Sequence, residues 1–174
     1  QVPSLHAALE LVRAIDRPGM VGINADLLHL MRSGGTIAEL AAAAAEGAIL
    51  YGQVADGPAL APENLDHEAS SERLLCGDGA FDITGFVRAL PPGCGISIEI
   101  PRDHAVGPED AETRARRAVE GLRRVVRDQF DVDREPAPRR EVGGEAADLG
   151  VHRVARLVGR IAQVDRELDL PRDD

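Results

Sequence analysis

No lysine occurs among the 174 residues, so all 20 basic side chains are arginine. That absence excludes Schiff-base chemistry, a lysine general base and the phosphate-binding loop that needs a lysine. Tryptophan is also missing, and one Tyr and three Phe leave no aromatic platform on which a ligand or a run of bases could stack. The two cysteines, Cys76 and Cys94, have neither metal-ligand spacing nor the density of a disulfide framework, which points to a reducing cytoplasm. No stretch approaches the roughly 18 apolar residues of a membrane span, and Gln1–Glu10 lacks the cationic start of a signal peptide. The formal charge of −10, with no continuous basic stretch, argues against a nucleic-acid partner.

What is present has the balance of a globular domain, with 44% hydrophobic and 29% charged residues. Ser4 is placed to cap a helix in which Leu5, Ala8, Leu9, Val12 and Ile15 recur at helical spacing until Pro18-Gly19. The apolar run Met20–Ala25, ending at Asp26, predicts a buried parallel strand. Thr36 starts a second helix, Ile37–Glu46, closed by Gly47, and Ala48–Gln53 predicts the next strand. A polar loop from Ala55 to Ala80 leads into a helix over Asp82–Leu90, then a strand over Gly95–Ile100. A helix from Pro108 to about Asp128 carries Ala118, Leu122, Val125 and Val126 on one face. The alternation of helices and strands, with crossover-length connections, predicts an α/β fold with a parallel sheet.

Residues 131–144 read as a charged linker and 145–174 as a helical tail. There Val151, Val154, Val158 and Ile161 form a narrow apolar stripe suited to oligomerisation.

Side chains alternate along strands, so Asn24 shares a face with Asp26, Tyr51 with Gln53 and Ser97 with Glu99. If the strands belong to a parallel barrel, their carboxyl ends converge on one rim, which is where such folds carry their chemistry. Asp26, Gln53 and Glu99 then supply two carboxylates and an amide oxygen, a donor set for Mg²⁺ or Mn²⁺ rather than a thiolate site for zinc. His29, three residues beyond Asp26, is a candidate further ligand or proton-transfer group. Gly77-Asp78-Gly79 on its own reads as a turn.

These segments resemble, in order and spacing, the xylose-isomerase-like barrel family of sugar phosphate isomerases and epimerases. Val21–His29 is similar to the family's Asp-x-x-His strand, with Gly34 following. Gln53–Pro58 resembles the next strand, and Glu68 through Arg73 to Gly79 the family's Glu-x₄-Arg-x-x-Pro-Gly-Glu-Gly loop. The resemblance covers about residues 1–130 and implies the last three strand-helix units of a (β/α)₈ TIM barrel. A whole barrel takes about 250 residues.

It further implies that Asp26, Gln53 and Glu99 bind the metal, that His29 and Arg73 meet the substrate, and that Glu99 and His29 move protons. The expected substrate is a small polyhydroxylated carbonyl compound, deprotonated beside its carbonyl to a metal-stabilised enediolate. Gln53 stands where many members have His. Glutamine there occurs among the family's 3-dehydroshikimate dehydratases, so a lyase is the alternative activity. Cys76 and Asp78 depart from the loop pattern, and the family's other metal-binding glutamate belongs to the strand before residue 1. A third expectation is therefore an inactive fragment that acts as an oligomerisation or interaction module.

Overall fold

The computed structural model describes residues 3–102 and 109–132. The linker and tail expected over 131–144 and 145–174, with the apolar stripe, lie outside the described residues beyond Val132.

Helix α1 spans Leu5–Ile15, with the Ser4 hydroxyl accepting from the Ala7 amide at 3.2 Å. It ends at Asp16, whose left-handed φ of 48° turns the chain away. Strand β1 is Ile23–Asp26, shorter than expected at its start. Met20 and Val21 are instead held in a turn by the Arg17 carbonyl, which accepts from both of their amides.

The apolar run after Asp26 forms a short helix, α2 (Leu27–Arg32), that sequence reading did not separate from its strand. Helix α3 (Ile37–Ala45) begins with a reciprocal cap between Thr36 and Glu39, a pattern worth about 1 kcal/mol. Gly47, at φ 78°, closes it in a conformation that costs a side-chain-bearing residue more. Strand β2 is Ile49–Val54.

The expected loop from Ala55 to Ala80 is corrected at its centre, where α4 occupies Leu65–Ser71 behind an Asn64 cap. Helix α5 (Ile83–Ala89), capped by Asp82, strand β3 (Gly95–Ile98) and helix α6 (Ala111–Val132) complete the order. The described part of α6 starts just after Asp110, whose carboxylate accepts from the Thr113 amide at 2.7 Å. Hydrogen bonding to that amide lowers the Asp110 pKa, the ordinary consequence of a charged N-terminal cap.

The sheet has the order β1-β2-β3, and both pairings are parallel. Its helix-side face carries Ala25 and Val54 against a core that includes Leu28, Leu40, Phe86, Val87, Leu122 and Val126, all buried. The other face is open, and Tyr51 there is 41% exposed. Among the described residues no helix is long and apolar enough to cross a membrane. Both cysteines are free thiols.

Candidate functional site

Pairing fixes which strand ends meet. Asp26 stands opposite Gln53, and Gln53 opposite Ser97. The ladder continues past β3, because the Glu99 amide donates to the Val54 carbonyl at 3.0 Å. Asp26, Gln53 and Ser97 are therefore abreast, with Glu99 one pleat further toward the rim.

Asp26 is both the end of β1 and the cap of α2. Its Oδ1 accepts from the His29 amide at 3.1 Å, which ties the placement of His29 to the carboxylate. Its Oδ2 accepts from Arg73 Nη1 at 2.7 Å. Arg73 comes from the turn after α4, where Nε donates to the Ala69 carbonyl at 2.8 Å and so aims the guanidinium inward. The same Nη1 lies 3.2 Å from Glu99 Oε2. Nη2 lies 3.4 Å from His29 Nε2. Arginine can only donate, so Nε2 accepts and the ring proton is assigned to Nδ1.

One guanidinium thus gathers Asp26, His29 and Glu99. Arg73 and Asp26 are 4% and 7% exposed at their side chains, whereas Glu99 is 44% exposed and forms the wet side of the cluster.

Gln53 is placed differently. Its Oε1 accepts from the Asn24 side-chain amide at 2.6 Å, a contact along the open face of the sheet. Of the three expected ligands, the structure brings Asp26 and Glu99 to one point, and Gln53 beside them with its oxygen engaged by Asn24. Among the described residues no group of three or more His, Cys, Asp and Glu side chains could hold an ion by itself. The two carboxylates do fit a cation in chemistry and in placement, since Nη1 of Arg73 is a cationic group within hydrogen-bonding distance of both.

Two further buried clusters carry the loop that delivers Arg73, and the sequence reading assigned no role to their central residues. Asp56, 1% exposed, receives four backbone amides: Gly57 at 2.9 Å and Phe81 at 3.0 Å on Oδ1, Gly77 at 2.9 Å and Gly79 at 3.0 Å on Oδ2. Gly77-Asp78-Gly79 is therefore more than a turn. It wraps a buried carboxylate, and a Cβ at Gly79 would collide with Asp56 Oδ1 and the Gly57 carbonyl. The main chains of Asp56 and Leu74 also exchange both hydrogen bonds at 3.0 Å.

In the second cluster Arg32 grips Glu68 with two nitrogens, at 2.7 and 2.6 Å, and lies 4.9 Å above the centre of the Phe81 ring. The usable sequence signals were an acid three residues past Gln53 and an acid on the first turn of a capped helix. Cys76, buried between Asp56 and α6, has its thiol pushed up to about 12, first by burial and then by the Asp56 carboxylate. It is an inert packing group.

A three-stranded parallel sheet with helical crossovers and oxygen-bearing side chains gathered at the strand ends is an α/β arrangement consistent with part of a barrel. The solved structures that the chain resembles include xylose isomerase-like TIM-barrel proteins. One is an IOLI protein crystallised with a bound zinc atom, at a TM-score of 0.61 and 22% identity over 73% of this chain and 45% of that one. A xylose isomerase domain protein from Alicyclobacillus acidocaldarius subsp. acidocaldarius gives 0.55 and 23%, over 71% and 43%. A xylose isomerase-like TIM barrel/4-hydroxyphenylpyruvate dioxygenase fusion protein gives 0.57 and 25%, over 78% and 22%. The chain therefore spans less than half the length of each of these structures. No family model matches the sequence, and no curated protein matches it.

Proposed function

We propose that this chain is the last three strand-helix units of a divalent-metal-dependent sugar or sugar phosphate isomerase/epimerase barrel acting on a small polyhydroxylated carbonyl compound. The observation that carries the reading is the convergence of Asp26 and Glu99, from two different strand ends, on one cationic point beside His29. Asp26 and Glu99 are the ligands, with Gln53 joining them once its amide turns from Asn24. The bound zinc of the IOLI protein supports a divalent ion in this fold, and the oxygen-rich donor set here suits Mn²⁺ or Mg²⁺. Such an ion supplies Lewis-acid polarisation of the substrate carbonyl.

The remaining chemistry belongs to the chain. Glu99, partly exposed, is positioned to take the proton beside the carbonyl. His29 has an Nε2 lone pair directed at the same cluster and can return or relay it. Arg73 offers its guanidinium to a substrate hydroxyl or anionic group.

The test is a calorimetric titration of Mn²⁺ into the chain and into Glu99→Ala. Micromolar binding by the wild type, weakened at least about tenfold in the variant, supports the reading. A wild type that takes up no metal refutes it.

The lyase alternative rests on Gln53, which stands where many members of the resembled family have His and its 3-dehydroshikimate dehydratases have Gln. Loss of water from a β-hydroxy carbonyl substrate by a complete barrel carrying these residues, seen as a rise in conjugated ultraviolet absorbance, would establish it over epimerisation.

A further inference from the structure

We infer that Arg73 is the resident cation of this site, and that a divalent metal binds only by taking Glu99 away from the guanidinium while the Arg73–Asp26 pair is kept. The inference deepens the proposal above and rests on its reading that these two carboxylates are metal ligands.

Charge makes the exchange necessary. Asp26 and Glu99 together carry two negative charges and Arg73 one positive, while His29 accepts from Arg73 and is counted neutral. The cluster therefore has a net charge of about −1. A dication held by both carboxylates with every contact kept would lie beside the like charge of Nη1, on an arginine that is 4% exposed. Burying unlike charges is tolerable only when each is paired, and burying like charges side by side is not. One contact has to yield.

Geometry says which. The Arg73–Asp26 pair is the shorter, at 2.7 Å, and is shielded from water on both sides. The Arg73–Glu99 contact is longer, at 3.2 Å, and Glu99 is 44% exposed, so its carboxylate can turn through solvent. Arg73 stays tethered throughout by Nε on the Ala69 carbonyl and by Nη2 beside His29. Its head is therefore redirected rather than expelled. In the metal-free chain the same arginine keeps two neighbouring carboxylates from repelling each other, so the site is assembled before metal arrives. Metal affinity is lowered by that competition, and Arg73 is a positioning residue in the free site.

Arg73→Met and Arg73→Lys are compared with the wild type by Mn²⁺ calorimetry, with circular dichroism confirming that each is folded. Arg73→Met is expected to bind Mn²⁺ at least about tenfold tighter, because a unit charge a few ångströms from the ion has gone. Arg73→Lys, which keeps the charge with fewer contacts, is expected between the two. Equal or weaker binding by Arg73→Met, with the wild type still binding, overturns this inference and leaves the metal reading standing. No binding by any of the three overturns both.

If Arg73→Met does not fold, the wild type decides the matter, with Arg73→Lys used only for assignment. Its arginine side chains are followed by ¹⁵N NMR during titration with diamagnetic Mg²⁺, with the Arg73 signal identified by its loss in Arg73→Lys. A shift of that signal that saturates with Mg²⁺ is the expected result. A signal unmoved at saturating Mg²⁺ overturns the inference.

Discussion

Replacing Asp56 by asparagine keeps the shape of the side chain and changes the hydrogen bonding at one of its two terminal atoms. In the wild type each carboxylate oxygen receives two backbone amides, so either orientation of the asparagine leaves two N–H groups facing an NH₂ that can only donate. A hydrogen bond to a charged acceptor contributes about 1.5–3 kcal/mol, so losing two costs about 3–6 kcal/mol, before crediting the amide for its cheaper burial. A net loss of about 3 kcal/mol is expected, a large share of the roughly 5–15 kcal/mol that holds a domain together. Urea unfolding followed by circular dichroism measures it. Asp56→Ala, which leaves all four amides without an acceptor, is expected to cost more than Asp56→Asn. An Asp56→Asn chain within about 0.5 kcal/mol of wild type would refute the reasoning, because the loop would then rest on something other than that carboxylate.

Alkaline stability is expected to report Cys76. Its thiol stays neutral in the folded chain up to about 12 but ionises near 9.0 once unfolded, so stability falls as pH rises through that window, by up to about 1.4 kcal/mol per pH unit. With no lysine to titrate nearby, Cys76→Ala should flatten the urea midpoint between pH 9 and 11, and an unchanged slope would count against the assignment. Thr84 has a buried hydroxyl with no hydrogen-bond partner, so the near-isosteric Thr84→Val is expected to raise stability by about 1 kcal/mol in thermal melts, and a loss would mean that the hydroxyl is satisfied. Arg32→Met strands Glu68 in the interior and is expected to cost about 3–5 kcal/mol, with the double variant Arg32→Met/Glu68→Leu recovering a good part. Failure to recover in that cycle would show that Arg32 acts through Phe81 or Pro58 instead.

Features set by near neighbours were readable in the sequence. Ser4 and Thr36 cap helices where expected, because an N-cap needs only its own oxygen and amides two or three residues on. The ends of β1 and β2 fell within a residue of the expected ones for a similar reason, since an apolar run stops at a polar side chain. Helices α2 and α4 were not separated, and shortness explains both. Six residues, Leu27–Arg32, continue an apolar run without showing a period, and seven, Leu65–Ser71, lie in a polar stretch where no apolar stripe marks a turn. The α4 helix buries an acid rather than a leucine. Glu68 is 1% exposed because Arg32, thirty-six positions earlier, meets it, and no local pattern announces a partner at that distance.

The same distinction separates what was visible of the site from what was not. Asp26 and Glu99 stand out because strand ends carry acids, but the residue that joins them comes from a loop, 47 positions after Asp26 and 26 before Glu99. Its placement is a product of the two buried clusters. Glu68, five residues before Arg73, is locked to α2 by Arg32, and Leu74, immediately after it, is locked to Asp56, two residues past the end of β2. With both flanks of the segment fixed and Nε bound to the Ala69 carbonyl, the guanidinium has little freedom before it touches a carboxylate. Positioning of this kind places the entropic cost of assembling the cluster in folding rather than in ligand binding. It also explains why the most buried acids among the described residues, Asp56 and Glu68, lie outside the cluster they support: a carboxylate that already accepts four amides or a bidentate arginine has few lone pairs left for a metal or a proton.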